Sequence, residues 1–274
     1  MMLILVSSGS PSTPITVKGS TWESGGMEDS AFIGGMVAGL FYFVVGFSLI
    51  HLSWRSQRPP DLLLGMSFFL WGISYACWQI PIATANQPLT QPLFFGGRIL
   101  THAGTIFFAS FTWATFRNQS RWAKYLVFAI AISLVAGVAG SVAVGDWEGV
   151  RPSNAWWWVE WTASFVAMSW VGVEGFIEYP KARKRVQMGL GEPLVCNRFL
   201  IWGLTGVISA VYSWVLLYQT TTFESNGSWS ISLDHVNGTI EIATVALVWL
   251  IYFPPRFYRR WIAGAAPAAE PEEA

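Results

Sequence analysis

Seven long apolar runs fill most of this 274-residue chain, and its Lys and Arg residues fall almost entirely in alternate gaps between them. A helix rises about 1.5 Å per residue, so about 20 apolar residues cross the roughly 30 Å of hydrocarbon in a bilayer. The runs lie at residues 32–54, 62–84, 93–116, 122–144, 156–177, 199–219 and 237–257. Hydrophobic residues make up 53% of the chain and charged residues 12%, where a soluble domain carries roughly 25% charge. A water-surrounded core cannot absorb that much apolar surface. The sequence therefore predicts an all-α, polytopic membrane protein, a seven-transmembrane helix bundle whose first partner is the lipid bilayer.

Loop charge orients it. The first gap carries Arg55 and Arg58, the third Arg117, Arg121 and Lys124, and the fifth Lys181, Arg183, Lys184, Arg185 and Arg198, while Arg256, Arg259 and Arg260 follow the last run. Basic ends stay in the cytoplasm. The opposite gaps hold Asp146, Glu148 and a lone Arg151, and a Ser- and Asn-rich stretch with Glu224 and Asp234. The N-terminus is expected outside and the C-terminus in the cytoplasm, in a multi-pass protein of a bacterial inner (plasma) membrane. The zero net charge hides this asymmetry and leaves no basic face for nucleic acid.

Three regions follow: a flexible extracytoplasmic tail at 1–29, the transmembrane domain at 30–262, and a disordered cytoplasmic tail at 263–274 rich in Ala, Pro and Glu. The MLILV run near the start is too short for a secretory signal, and Met27 is an alternative start. No stretch on either side has room for a soluble output module. Cys77 and Cys196 fall on different segments and are expected as reduced thiols. Most of the 17 tryptophans read as interfacial belts, Trp54, Trp122 and Trp261 at one surface and Trp156, Trp157 and Trp158 at the other. Gly35 and Gly39 form a small-xxx-small face for close helix packing.

Charges within the runs carry the information, because each costs at least about 2.5 kcal/mol at the bilayer centre unless paired or hydrated. Arg98, Glu160 and Glu241 lie at one depth toward the outside, on the third, fifth and seventh runs. Spacings of three and four join Arg98 to Thr101, His102, Thr105 and Thr112, Glu160 to Ser164 and Glu174, Thr205 to Ser209, Tyr212 and Ser213, and Glu241 to Thr244 and Tyr252. Ser74, Tyr75, Trp78 and Gln79 cluster on the second run. Stripes like these must converge, since lipid leaves them unsatisfied. Arg98, His102, Glu160, Glu241, Tyr212 and Gln79 are the expected ion-pair or ligand layer. In that layer Arg98 bridges Glu160 or Glu241 and fixes packing, or the groups line an outward-opening pocket, or they form an ion path. Glu174 is an inner polar group within reach of Lys181 to Arg185. Arg256, Arg259 and Arg260 are expected to hold anionic headgroups, with Pro254 and Pro255 ending the seventh helix and Asn197 capping the sixth.

Three histidines at three depths cannot converge on a metal, and no cofactor is implied. Serines in such helices bond back to their own backbone, so intramembrane enzyme chemistry is not expected. The topology and an Arg in the outer third run resemble microbial rhodopsins, but that family holds retinal on a Lys of the seventh span, and the last Lys here is Lys184. The stretches GEPLVCNRFLIWG (191–203) and FPPRFYRRWI (253–262), with Phe116-Arg117 closing the third run, resemble a group of uncharacterised bacterial seven-span proteins, and the Pro-Pro-Arg ending is similar to the exit of membrane sensor modules. That resemblance implies sensing through a separate cytoplasmic or membrane partner. The leading expectation is a sensory or ligand-binding module taking a small ligand from outside. A small-solute or ion transporter and a structural subunit of a larger membrane complex are the alternatives. Pro81 as the sole proline well inside a run, and the lack of an internal repeat, weigh against transport.

Overall fold

The computed structural model describes residues 25–84, 87–147, 152–226 and 231–264. Among these residues the chain forms helices without strands: α1 (Gly25–Ser56), α2 (Pro59–Thr84), α3 (Gln87–Phe116), α4 (Arg121–Ala143), α5 (Ala155–Gln187), α6 (Pro193–Asn226), α7 (Ile231–Tyr252) and α8 (Arg256–Gly264). Successive helices pack side by side, α7 closes the ring onto α1, and α3 also touches α5. Four helices contain stretches long and apolar enough to cross a membrane, Gly35–Ser56, Pro59–Ile80, Arg121–Ala143 and Pro193–Thr222. A fifth arises if Val236–Tyr252 and Arg256–Ile262, bent by 74° at their junction, form one span. At 30 and 33 residues α3 and α5 are just as long. They fall short in apolarity because their inward faces carry Arg98, His102, Glu160 and Glu174. The protein is thus a membrane protein of apolar helices.

Several expectations need correction. The stretch 220–236, read as an extracytoplasmic loop, is mostly helix, since α6 runs to Asn226 and α7 starts at Ile231. The α1 helix begins at Gly25, inside the stretch expected to be a tail, whereas residues 1–24 and 265–274 lie outside the described residues. Asn197 is not a helix cap: α6 starts four residues earlier, at Pro193, and the Asn197 amide instead bonds the Tyr258 hydroxyl of α8. The proline break behaves as its chemistry requires, for α7 stops at Tyr252 and α8 leaves at an angle after Pro254 and Pro255.

Glycines set the closest approaches. A methyl group on Gly39 would meet Tyr75 Cβ at 2.6 Å, so this small face serves packing of α1 on α2. Between α5 and α6 the backbones themselves touch, Gly172 on Gly206 and Gly175 on Gly203. Two other glycines shape helix ends. After α4, Gly145 adopts φ +79°; its N–H bonds Val142 O at 3.0 Å and the Asp146 N–H bonds Ser141 O at 2.8 Å, a Schellman turn. Gly189 ends α5 in the same way, with φ +69° and Leu190 N bonded to Arg185 O at 2.8 Å.

Of the six tryptophans expected in belts, Trp54, Trp122, Trp156, Trp158 and Trp261 are exposed on the bundle surface and Trp157 is buried, as are Trp71, Trp78, Trp170 and Trp202 outside that set. Spacings of three and four on α2 (Phe68, Trp71, Tyr75, Trp78) put one aromatic face inward. These rings stack on one another: Tyr42 lies 5.7 Å from Tyr75 and 5.9 Å from Trp71, and Trp71 lies 5.5 Å from Phe108.

Candidate ligand site

Arg98 is 2% exposed, and everything around it is arranged to tolerate that. Its Nε donates to Glu160 Oε2 at 3.0 Å and its Nη2 to Glu160 Oε1, a bidentate fork across α3 and α5. The Gly145 turn brings two carbonyls into reach, so Nη1 donates to Asp146 O at 3.0 Å and Trp147 O at 3.1 Å. Glu160 also accepts from Ser141 Oγ at 3.2 Å and bonds His102 Nε2 at 2.6 Å. A carboxylate held by Arg is an acceptor only, so His102 Nε2 must carry the proton. Gly137 of α4 packs directly on the Glu160 side chain, and any side chain there would displace it.

The network continues. Asn154 Nδ2 donates to Ser141 Oγ at 3.2 Å and Asp146 Oδ2 at 3.1 Å, while its Oδ1 caps α5 by accepting from Trp156 N at 3.1 Å. One asparagine thereby starts α5 and buttresses the buried ion pair. Of the two partners expected for Arg98, the structure selects Glu160. Glu241 on α7 accepts from Tyr212 Oη on α6 at 2.8 Å.

Below this layer lies a cavity of about 150 Å³ bounded by α1, α2, α3, α5, α6 and α7. Arg98, His102, Glu160, Tyr212 and Glu241 all line it, so five of the expected layer residues meet at one place. Gln79 is buried but is not part of the lining. Most of the remaining wall is aromatic or hydroxyl-bearing, with Tyr42, Phe68, Trp71, Tyr75, Trp78, Phe108, Trp157, Trp161 and Phe165 beside Thr101, Thr105, Ser164, Thr205, Ser209 and Ser213, and Met168, Leu216, Ile240 and Val248 add an aliphatic part. Most hydroxyls whose partners are seen bond back one turn, as Thr105 does to Thr101 O and Ser213 to Ser209 O, both at 2.9 Å. Five residues of the lining carry a buried polar atom with no hydrogen-bond partner: Tyr75 Oη, Trp78 Nε1, Thr101 Oγ1, His102 Nδ1 and Thr205 Oγ1. Each sits on a side chain more than nine-tenths buried.

Glu174 lies elsewhere. It pairs with Arg117, at 2.8 Å from Nη2 and 2.9 Å from Nε, and accepts from Trp170 Nε1 at 3.1 Å. The expected partners at Lys181 to Arg185 are not used; Lys181 takes Glu178 at 2.7 Å instead. Arg256, Arg259 and Arg260 are exposed on α8 beside exposed Phe257 and Trp261, an amphipathic surface helix. Among the described residues no group of three His, Cys, Asp or Glu side chains is placed to hold a metal ion.

Ser141, Asp146 and Asn154 were missed from sequence, as was the aromatic wall. Asn154 had a signal, an Asn directly before a helical run, and the α5 aromatics Trp157, Trp161 and Phe165 recur every four residues, on one face beside Glu160. Comparison with protein families, with characterised proteins and with solved structures finds no match for this chain.

Proposed function

We propose that this chain is a seven-span membrane protein that binds a small molecule between its helices and transmits occupancy to its cytoplasmic face, a sensory or ligand-binding module. The observation that carries the reading is the set of five buried polar atoms without partners around one cavity. Leaving such an atom unmet costs about 1–3 kcal/mol, so a wall with five of them is costly unless something enters and bonds them. Bilayer surroundings sharpen this cost, because lipid offers no substitute partner.

The closed ring of helices supports the reading of seven spans. Helices α3 and α5 stand between neighbours apolar enough to cross, and their own charges point inward. Basic residues at Arg55, Arg117, Lys181 to Arg185 and α8 put those ends in the cytoplasm, which sets the cavity's Arg98 end toward the outside. A fluorescent protein fused after Ile262 is expected to fold and fluoresce, and alkaline phosphatase fused there to be inactive; the reverse pair of results overturns this topology.

Transmission has a route. The cavity touches α6 at Thr205, Ser209 and Tyr212, and α6 is tied to α8 by Asn197 and Tyr258. A ligand that shifts α6 therefore moves a basic helix on the membrane surface, where a separate partner can read it. Cavity filling tests the site. Ser209→Phe is expected to keep the ligand-free protein at least as thermally stable as wild type while cancelling the melting-temperature rise given by compounds that stabilise wild type. A compound that stabilises both equally acts elsewhere, and that outcome sinks the cavity as the site.

A further inference from the structure

The cavity's chemistry says what kind of molecule fits. Aromatic rings from α1, α2, α3, α5 and α6 make up much of its wall, and rings favour flat partners offset or edge-on at 4.5–7 Å. A cavity near 150 Å³ is the size that accepts a single aromatic ring system. The charges are already spoken for. Arg98 commits four hydrogen bonds to Glu160 and the carbonyls of Asp146 and Trp147, and Glu241 holds the Tyr212 hydroxyl. A carboxylate or phosphate ligand would have to displace Glu160 from its fork.

The unmet atoms narrow the choice. Trp78 Nε1 packs against Gly97 of α3, 3.0 Å from where a side chain there would begin, so the hydrogen-bonding demand on a ligand comes from the other unmet atoms. His102 Nδ1, whose ring gives its other nitrogen's proton to Glu160, accepts when the ring is neutral and donates when it is charged. A hydroxyl group answers both states of His102, whereas a bare ammonium only donates.

The seam between α5 and α6 gives the way in. At Gly172, Gly175, Gly203 and Gly206 the two backbones touch. Toward the Arg98 end, bulky rings stand between them instead. Trp161 and Phe165 line the cavity on one side. On the other they meet Trp214 edge-on, at 5.6 Å and 6.1 Å, a residue 57% exposed to the surroundings of the bundle. A layer of aromatic side chains thus stands between the cavity and the outer surface of the bundle, with the Trp161 indole N–H held to Ser213 O at 3.4 Å.

We propose that the cavity receives a neutral, lipid-soluble molecule with a flat unsaturated ring system and a hydroxyl group, which arrives from the bilayer between α5 and α6 past Trp161 and Phe165. This rests on the cavity being a ligand site. The test uses the full chain in lipid nanodiscs, with empty nanodiscs subtracted, and four probes: 2-naphthol, naphthalene, 2-naphthoate and 2-naphthylmethylammonium. Expected is saturable binding of 2-naphthol, about tenfold tighter than naphthalene and than either ion. Thr205→Val and Tyr75→Phe are expected to weaken 2-naphthol by about fivefold each without lowering the melting temperature of the ligand-free protein, which separates a ligand contact from a packing role. Trp214→Ala, outside the cavity wall, is expected to speed association and dissociation by the same several-fold factor and leave Kd unchanged. Tightest binding of an ion, or equal binding of naphthalene, overturns the ligand chemistry. Unchanged rates in Trp214→Ala overturn the route. If no probe binds but protein from native membranes carries a bound small molecule, the chemical class is wrong and the site stands; if neither is seen, both fail.

Discussion

Replacing Glu160 by alanine is expected to cost about 3–5 kcal/mol of stability, because it strands the buried Arg98 guanidinium without its counter-charge. Glu160 is 5% exposed and takes bonds from Arg98, His102 and Ser141, so four buried donor groups on two helices, α3 and α4, lose their acceptor together. A chain of this size loses about 2–4 °C of melting temperature per kcal/mol, which makes the expected drop roughly 6–20 °C in a thermal unfolding series. The companion variant decides what the pair is for. Arg98→Met combined with Glu160→Leu removes both charges, and buried pairs replaced by apolar residues are often neutral or better. The double variant is expected to recover most of the loss, short of the contribution of His102 Nε2, which still lacks a partner. If Glu160→Ala instead unfolds within about 1 kcal/mol of wild type, water reaches the pair and the layer is a wet vestibule.

That contrast reorders the importance of the polar residues. Charges in the runs draw attention because hydropathy makes them costly, yet in the fold Arg98 with Glu160 and Arg117 with Glu174 clamp α3 to α5 at two levels. The groups that mark the cavity as a site are uncharged: a tyrosine, a tryptophan, two threonines and one nitrogen of His102.

The inward faces were legible because three- and four-residue spacing places Arg98, Thr101, His102, Thr105 and Thr112 on one side, and all five are buried. Choice of partner was not legible. Glu160 and Glu241 stand at one depth, and which of them meets Arg98 depends on α3 packing against α5, a matter of ring order and tilt. Glu174 misled for the same reason, its nearest basic neighbours in sequence lying further along its own helix. Ser141 could not be singled out, because α4 otherwise reads as lipid-facing and its hydroxyl meets Glu160 only once α4 packs on α5. Tryptophan was ambiguous by chemistry, since a ring with one N–H suits a membrane interface and a binding wall equally. Burial divides them, leaving Trp54 and Trp261 in the belt and Trp71, Trp78 and Trp157 in the wall.

The central claim is that something occupies the space between α2, α3, α5, α6 and α7, and its second large consequence is a change in mass. A molecule that draws even three of the five unpartnered polar atoms onto itself gains hydrogen bonds worth about 1 kcal/mol each, plus about 25 cal/mol for each Å² of apolar surface it buries against the wall. Such a molecule outlasts loosely held annular lipid during detergent stripping. A phenylalanine at position 209 occupies the same volume, so Ser209→Phe is expected to lose the adduct entirely while keeping its surface lipid. The measurement is native mass spectrometry of the full chain purified from its own membranes, beside Ser209→Phe prepared identically. The expected result is one small-molecule adduct on the wild type that survives removal of lipid and is missing from the variant; a bare wild-type mass, or the same adduct on both proteins, contradicts the assignment of this cavity as a ligand site.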